Sequence, residues 1–310
     1  MDRRRFIRTG LAATAGTAVA AHAGAAGPAS SAAHAGDGAP APASAQAPAA
    51  GAAPAPAAAT GRLRQSVCAW CFGGMPLADL CALAARTGIG SVELLDEPQW
   101  ATVRGHGLAC AVANGPGGIT KGWNRPENHD ALVRRSEELL PKVGAAGIPQ
   151  MIVFSGNRDG MADADGLRHC ADGLRRIMPA AERAGVTVVM ELLNSRVDHR
   201  DYMCDRTAWG VELCKRVGSD RFRLLYDIYH MQVMEGDVIR TIREHHGWIA
   251  HYHVAGNPGR GNLDATQELL YPAICAAIAD TGFRGWLAQE FIPRGDPAAA
   301  LAEAVRACTV

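Results

Sequence analysis

The segment FRLLYDIYHMQVMEGD, residues 222–237, carries the pattern on which the fold prediction rests. Its first part, 222–229, is a short apolar run that predicts a buried β-strand. Asp227 lies near the end of this run, and His230 follows three residues later. Because charged groups are rarely buried without a partner, the Asp227 carboxylate requires an opposite charge, several hydrogen bonds or a metal ion.

Similar apolar runs recur along the chain, and helical patterns separate them. The predicted strands span 66–72, 90–95, 108–114, 150–154, 186–193, 222–229, 249–255 and 286–291. The helical pattern over 167–178 is followed by Gly185 as a stop, and the last helix is predicted to begin with Asp296 as N-cap and Pro297. Eight strand–helix units within 62–310 predict one α/β domain, a closed (β/α)8 TIM barrel. The alternative, an open doubly wound sheet, normally begins with a Gly-rich phosphate loop, which is not evident here.

The N-terminus has the order of an export signal. RRRFIR (3–8) is basic, 9–20 is apolar with small residues, and AHA (21–23) resembles a cleavage site. The paired arginines followed by Phe6 resemble a twin-arginine signal, although Asp2 stands where Ser or Thr is usual. We expect export to the periplasm or the extracellular space; the alternative is a basic tail with an Ala-rich helix. The predicted segments are a signal peptide (1–23), an Ala/Pro/Gly-rich disordered linker (24–61) and the barrel (62–310).

Charge and cysteine content exclude several classes of protein. Lys and Arg number 31, as do Asp and Glu, so the charge gives no reason to expect nucleic acid or an anionic membrane as partner. After the signal, no run approaches the ~20 apolar residues of a membrane span. The nine cysteines all follow the linker, and their odd number argues against a disulfide framework. Cys68 and Cys71 form a C-x-x-C pair on a predicted strand, which is a weak redox signal without a thioredoxin-like context.

Four ionisable residues end four consecutive predicted strands: Glu191, Asp227, His253 and Glu290. The carboxyl ends of the strands form the active face of a TIM barrel, so these side chains are expected to converge. Each carboxylate alone could be an ion-pair partner, but three together, without Lys or Arg on the same strands, would repel strongly. The sequence therefore predicts one divalent metal ion, and the oxygen-rich donor set suits Mn²⁺, Mg²⁺ or Co²⁺.

Further side chains are candidates around this site. His230 is predicted either to bind substrate or to cap the next helix. Arg260, in the glycine-rich loop GNPGRGN, is either a clamp for a substrate carboxylate or hydroxyl, or a surface residue. His251 is expected one layer deeper, as a core residue or a partner of a metal ligand, with a ligand role as the alternative. Three aromatic residues are candidate pocket walls: Trp70, Phe72 and Trp123.

The motifs YDIYHMQVMEGD, HVAGNPGR, ELLN and QEF resemble the hydroxypyruvate isomerase group within the xylose-isomerase-like TIM barrels. The resemblance covers essentially all of 66–296. It implies that Glu191, Asp227, His253 and Glu290 hold a divalent ion, that the two glutamates are the acid/base pair, and that His230 and Arg260 touch substrate. The best-known hydroxypyruvate isomerases have Gln where this chain has His253, whereas the related ketose 3-epimerases have His. These relatives are cytosolic.

The resulting functional hypothesis is a metal-dependent isomerase acting on a small hydroxy-keto acid or ketose. The leading reaction is hydroxypyruvate to tartronate semialdehyde, through proton transfer next to a carbonyl. A ketose 3-epimerase on the same scaffold is the alternative. A metallophosphodiesterase of the endonuclease IV type and a noncatalytic sugar- or metal-binding protein are further hypotheses. A homo-oligomer is compatible with the sequence.

Overall fold

The computed structural model describes residues 61–310. The predicted signal peptide and all but the last residue of the predicted linker lie outside the described residues, so those predictions stand untested. The remainder forms eight parallel strands. They are β1 (Arg64–Cys68), β2 (Ser91–Glu93), β3 (Val112–Asn114), β4 (Gln150–Val153), β5 (Thr187–Leu192), β6 (Phe222–Asp227), β7 (Ile249–Val254) and β8 (Trp286–Gln289).

Within residues 61–310, nine helices and two short 3₁₀ turns connect these strands, and a tenth helix follows β8. The helices are α1 (Leu77–Arg86), α2 (Glu97–Gly105), α3 (Pro126–Ala145), α4 (Asp163–Arg175), α5 (Met178–Ala184), α6 (Thr207–Val217), α7 (Ile228–Met234), α8 (Val238–His245), α9 (Tyr271–Asp280) and α10 (Pro297–Ala307). The 3₁₀ turns are Ala69–Phe72 and His246–Trp248.

The sheet closes on itself. Its hydrogen-bonded order is β2-β1-β8-β7-β6-β5-β4-β3. Isolated parallel bridges join the two end strands, and the Val92 amide donates to the Ala109 carbonyl at 3.0 Å. The TIM barrel predicted from the alternating pattern is therefore confirmed, and each of the eight strands overlaps one of the predicted apolar runs.

Two hydrophobic clusters stabilise the barrel. A small cluster contains Ile152, Val189 and Leu225, with Trp286 packed against it. Val189 and Leu225 lie two residues before Glu191 and Asp227, and Trp286 lies four residues before Glu290. An even spacing along a strand puts side chains on the same face, so these residues fill the barrel interior beneath the site. A far larger cluster lies between the sheet and the surrounding helices.

Two predicted elements differ in the structure. The first strand ends at Cys68, and Ala69–Phe72 is a 3₁₀ turn, so the C-x-x-C pair spans a strand end and a turn. The predicted helix over 167–178 is divided into α4 and α5, because Pro179 in the first turn of α5 has no amide to continue the preceding helix. Gly185 does end α5, with φ 70°, and the Asp296 side chain caps α10 by accepting from the Ala298 amide at 3.0 Å.

The nine cysteines are buried free thiols. Burial is the main cause that raises the pKa of Cys68 and Cys71, which makes a reactive thiolate unfavourable at either position. Within 61–310, no helix has both the length and the apolar character needed to cross a membrane.

Candidate active site

The four residues predicted to converge do so at the carboxyl end of the barrel. Asp227 ends β6, Glu191 and His253 are the penultimate residues of β5 and β7, and Glu290 directly follows β8. Each is buried. One donor atom from each lies within 4.8 Å of the others. Parallel pairing sets this arrangement, because it aligns neighbouring strands so that Asp227 stands beside His253.

His253 is at the centre of the group. Its Nδ1 lies 2.7 Å from Glu290 Oε2 and 3.3 Å from Glu191 Oε1. Its Nε2 points the other way, 3.1 Å from Glu93 Oε1. The ring therefore connects the upper layer of carboxylates to a carboxylate deeper in the barrel.

Glu93 is a site residue that the sequence reasoning missed. It ends β2 just as the predicted ligands end their strands, and it is fully buried. His251 Nε2 also lies 2.9 Å from Glu93 Oε1, which places His251 in the deeper layer, as expected. Cys68 Sγ is 3.9 Å from the same oxygen. Its position at the end of a strand was a signal that could have identified Glu93. The predicted strand extended to residue 95, however, whereas β2 has only three residues and ends at Glu93.

Arg260 reaches into the site from the loop after β7. Its side chain is only 12% exposed, so the surface alternative is wrong. Nη2 donates to Asp227 Oδ2 at 3.2 Å and also contacts Glu290 Oε2, and Nε donates to the Glu290 carbonyl at 3.2 Å. Arg260 therefore neutralises part of the charge of these carboxylates, and the expectation that no Lys or Arg is available to them was wrong because this arginine lies in a loop and not on a strand.

The backbone of this loop fixes the position of Arg260. Gly256 and Gly261 exchange backbone hydrogen bonds of 2.8 and 3.2 Å, and Arg260 adopts a left-handed φ of 53° in the turn between them. A Cβ on Gly256 would lie 2.1 Å from the Asn262 carbonyl oxygen, so only glycine fits there. A left-handed arginine in a tight turn is typical of a position that is held for function.

His230 is fully buried beside Arg260. It does not cap α7; the Asp227 side chain does, by accepting from the His230 amide at 3.0 Å. The imidazole Nδ1 accepts from Asn194 Nδ2 at 2.7 Å, and Nε2 contacts Arg260 Nη1. Asn194 is held in turn by Asp198, whose Oδ2 accepts its amide at 2.6 Å. Burial and then Arg260 lower the pKa of His230 well below its usual range, so the ring is neutral.

The pKa values of the two glutamates of the site are shifted in opposite directions. Burial, followed by the nearby Glu290 charge, raises the pKa of Glu191. Burial also acts to raise the pKa of Glu290, but Arg260 and His253 outweigh it and hold that pKa well below its usual range. Pairs of carboxyl groups that are driven apart in this way are a mark of acid/base sites.

A cavity of about 480 Å³ opens above these residues. Trp70 lines it, and its indole Nε1 donates to Glu290 Oε1 at 2.8 Å. The other two aromatic candidates are not pocket walls: Phe72 packs edge-on against Phe291, and Trp123 is fully buried beside His129. The other lining residues are both apolar and polar: Leu94, Ile119, Phe154 and Leu193, and Asn114, Glu191, Asp198, His199, Arg260 and Glu290.

The donor set fits a divalent ion. Three carboxylates and one imidazole form an oxygen-rich group, and Glu191 Oε1 is buried without a hydrogen-bond partner among the described residues. His253 fits as a ligand through Nδ1, because its other nitrogen already faces Glu93. Glu191, Asp227, His253 and Glu290 are therefore the residues that would hold the ion.

The sequence of 81–308 matches the family model described as "Xylose isomerase-like TIM barrel". The chain belongs to this family.

The chain is also similar to two proteins of known sequence and to one solved structure. A 2-oxo-tetronate isomerase of Cupriavidus necator is 31% identical over 240 residues, which cover 72% of this chain and 90% of the relative. A human putative hydroxypyruvate isomerase is 26% identical, with 61% of this chain and 72% of the relative covered. The crystal structure of an AP endonuclease, family 2, from Brucella melitensis is 25% identical with a TM-score of 0.71, covering 77% of this chain and 97% of that one.

Proposed function

We propose that the protein is a divalent-metal-dependent isomerase of a small hydroxy-keto acid or ketose, with hydroxypyruvate to tartronate semialdehyde as the leading reaction. The names of its relatives, a 2-oxo-tetronate isomerase and a putative hydroxypyruvate isomerase, support the isomerase class. The observation that carries the proposal is the pair Glu191 and Glu290. Both approach His253 Nδ1 at the cavity floor, and their pKa values are shifted in opposite directions.

The glutamates move the proton in this proposal. Glu290 is held as a carboxylate by Arg260 and His253, so it is suited to take a proton from the substrate carbon next to the carbonyl. Glu191, whose Oε1 lies 3.3 Å from His253 Nδ1, is the group that returns the proton to the substrate. The electron pair left on carbon spreads into the neighbouring carbonyl oxygen. A divalent ion, when bound, supplies Lewis-acid polarisation of that oxygen and an adjacent hydroxyl.

Arg260 and His230 orient the substrate. The Arg260 guanidinium faces the cavity between Trp70 and Tyr229, with its central carbon 5.3 and 5.4 Å from the two ring centres. It can pair with a substrate carboxylate or bond a hydroxyl, because a guanidinium offers several donors in one plane. His230 is fully buried; Asn194 fixes its ring, and its Nε2 contacts Arg260 Nη1, so it supports the position of Arg260 at that end of the substrate.

Epimerisation is the second candidate, and His253 is the residue that favours it. A proton returned to the neighbouring carbon, with the hydroxyl proton of the first carbon passing to the former carbonyl oxygen, gives isomerisation. A proton returned to the same carbon from the opposite face gives epimerisation. The resemblance to ketose 3-epimerases lies in the histidine at 253. The metallophosphodiesterase hypothesis has less support, since the four-residue group contains a single histidine and the chain has no excess of positive charge. The intact Glu191–Glu290 pair disfavours a noncatalytic binding protein, and the turnover assay decides between the two.

NMR of the Mg²⁺-loaded protein in D₂O tests the proposal. Hydroxypyruvate, 2-oxo-tetronate and a panel of ketoses are the substrates, and both product and deuterium in substrate carbon are observed. We expect product from at least one keto acid, with deuterium at the carbon that receives the proton. Glu290→Gln is the matched control and should give neither. Product in the ketose panel alone would favour the epimerase, and no exchange on any compound would exclude proton-transfer chemistry.

We also propose export through the N-terminal twin-arginine-type signal, since RRRFIR is followed by an apolar run. A fusion of residues 1–61 to a folded reporter should reach the periplasm, and replacing Arg3 and Arg4 by Lys should retain it in the cytoplasm. A reporter that stays inside in both forms would contradict export.

A further inference from the structure

A fully buried carboxylate, Glu93, lies beneath the proposed metal ligands, and nothing in the proposed proton transfer uses it. Its Oε1 is 3.1 Å from His253 Nε2 and 2.9 Å from His251 Nε2. Its other oxygen, Oε2, has no hydrogen-bond partner among residues 61–310. A buried charge of this kind is costly, and an apolar side chain would pack a barrel interior at lower cost. Its position therefore calls for a role.

That role follows from the position of the His253 ring between two carboxylates. Nε2 faces Glu93, and Nδ1 faces Glu290 Oε2 at 2.7 Å. An imidazole that ligates a metal ion is neutral and carries one N–H, and an ionised carboxylate can only accept a hydrogen bond. If the proton is on Nδ1, the ring donates to Glu290 and has no lone pair on Nδ1 with which to bind a metal ion among the upper carboxylates. If the proton is on Nε2, the ring donates to Glu93, and the Nδ1 lone pair faces the place where the ion would bind.

We propose that Glu93 is a positioning residue that fixes His253 in the tautomer with the proton on Nε2, so that Nδ1 is free to ligate the divalent ion. This inference rests on the metal site of the proposed function. Histidine ligands commonly donate their second nitrogen to a carboxylate, which fixes the tautomer and increases the basicity of the ligand. Parallel pairing of β1 with β2 places Glu93 beside Cys68 in the same layer. The Cys68 thiol lies 3.8 Å from His253 Nε2 and is a weak hydrogen-bonding group that cannot replace the carboxylate.

Glu93→Gln tests the inference, with Cys68→Ala as the matched control in the same layer. A glutamine keeps the shape of the side chain, but its amide can turn its NH₂ toward His253 Nε2 and so favour the other tautomer. Calorimetric titration with Mn²⁺ should show a 10- to 100-fold weaker affinity for Glu93→Gln. Cys68→Ala removes a neighbour without removing the acceptor, so its affinity should stay within about threefold of the wild type.

A double-mutant cycle separates an effect through the imidazole from a general loosening of the barrel. In a His253→Gln background there is no ring to orient, so adding Glu93→Gln should change Mn²⁺ affinity by less than about threefold. The second readout is ¹¹³Cd–¹⁵N coupling in histidine-labelled protein, which should show Nδ1 of His253 bound to cadmium in the wild type. If Glu93→Gln does not fold, Glu93→Asp replaces it, because it keeps the carboxylate but draws it back by one methylene.

Equal losses in the two backgrounds, cadmium on Nε2, or wild-type affinity in the Glu93 variants would overturn the inference. So would a wild-type protein that binds no divalent ion, and that result would also remove the metal from the proposed function. A wild type that binds Mn²⁺ with the expected coupling, yet turns over no substrate, would refute only the proposed activity.

Discussion

Arg260 and Glu290 form a buried ion pair at the floor of the cavity. The guanidinium contacts the carboxylate through Nη2 and the Glu290 backbone carbonyl through Nε. The same Nη2 donates to Asp227, so one arginine neutralises part of the charge of two proposed metal ligands. A bound cation would take over this neutralisation. The stability that Arg260 contributes should therefore depend on the metal.

Arg260→Ala should destabilise the chelator-treated protein more than the Mn²⁺-loaded protein. Removing one partner of a buried ion pair costs about 3–5 kcal/mol when the other charge is left without compensation. With a divalent ion bound, the carboxylates remain compensated and the cost should fall. Melting temperatures of both variants with EDTA and with Mn²⁺ measure the difference. Arg158→Ala is the control, because Arg158 pairs with Asp205 outside the site and its loss should lower both melting temperatures equally.

Chelation should lower the melting temperature of the wild type, and Mn²⁺ should restore it. Binding to the folded state alone stabilises by about 2.7 kcal/mol at a ligand concentration of 100 times Kd. Asp227→Asn should weaken this effect while keeping the cap of α7, because asparagine also serves as an N-cap. Asp237→Asn, at an exposed pair with Arg240, should respond to Mn²⁺ like the wild type. Elemental analysis without any divalent ion, together with an unchanged melt, would exclude the site.

The strand pattern was sufficient to predict the barrel and the convergence of Glu191, Asp227, His253 and Glu290. Both follow from local sequence, since parallel pairing brings strand ends to one face regardless of loop conformation. Arg260 could be named but not placed, because its contacts depend on a left-handed turn. Trp123 was misplaced for a related reason: whether an aromatic side chain in a loop faces the cavity or the core depends on packing that is not encoded in strand alternation.

A truncated protein beginning at Arg62 should melt at the same temperature as the full chain. Residues 1–60 lack the apolar periodicity needed to offset their ordering entropy. The start of the barrel is held by its own C-terminus, because the Arg62 amide donates to the Val310 carbonyl at 2.7 Å. Thermal melts of the two proteins, both with Mn²⁺, compare them directly. A clearly lower melting temperature for the shorter protein would mean that the N-terminal segment contributes to the fold.

Glu93 should make stability depend on pH in the acid range. Burial alone would raise its pKa, but His251 and His253 outweigh burial and lower the pKa from 4.5 to about 2. A lowered folded-state pKa contributes stability that is present above the unfolded value and is lost as the pH falls from about 4.5 toward 2. The difference in unfolding free energy between wild type and Glu93→Gln should therefore shrink across this window. Urea titrations at pH 5, 4 and 3 test it, and Glu212→Gln, at the exposed Arg216 pair, should differ from wild type by less than about 1 kcal/mol throughout. A difference independent of pH would contradict the ionised state of Glu93.

Glu290→Gln should abolish proton transfer while the metal remains bound. The amide keeps an oxygen ligand and the side-chain shape but removes the basic carboxylate, and general acid/base groups are typically worth 10² to 10⁴ in rate. Since this glutamate would also adjust the metal site, we expect a loss in kcat of about 10⁴ or more. Glu191→Gln should behave similarly, because the same site needs a group that returns the proton.

The contrast with His230→Ala makes this assignment specific. His230 is neutral, and its ring contacts Asn194 and Arg260 rather than either glutamate, so its loss should mainly raise KM and leave kcat within about tenfold. Turnover of the substrate identified by NMR, with metal content measured for each variant, distinguishes the two classes. A metal-replete Glu290→Gln with near-normal kcat would remove Glu290 from the proton pathway, since no other ionised carboxylate in the site has both its contact with His253 Nδ1 and its lowered pKa.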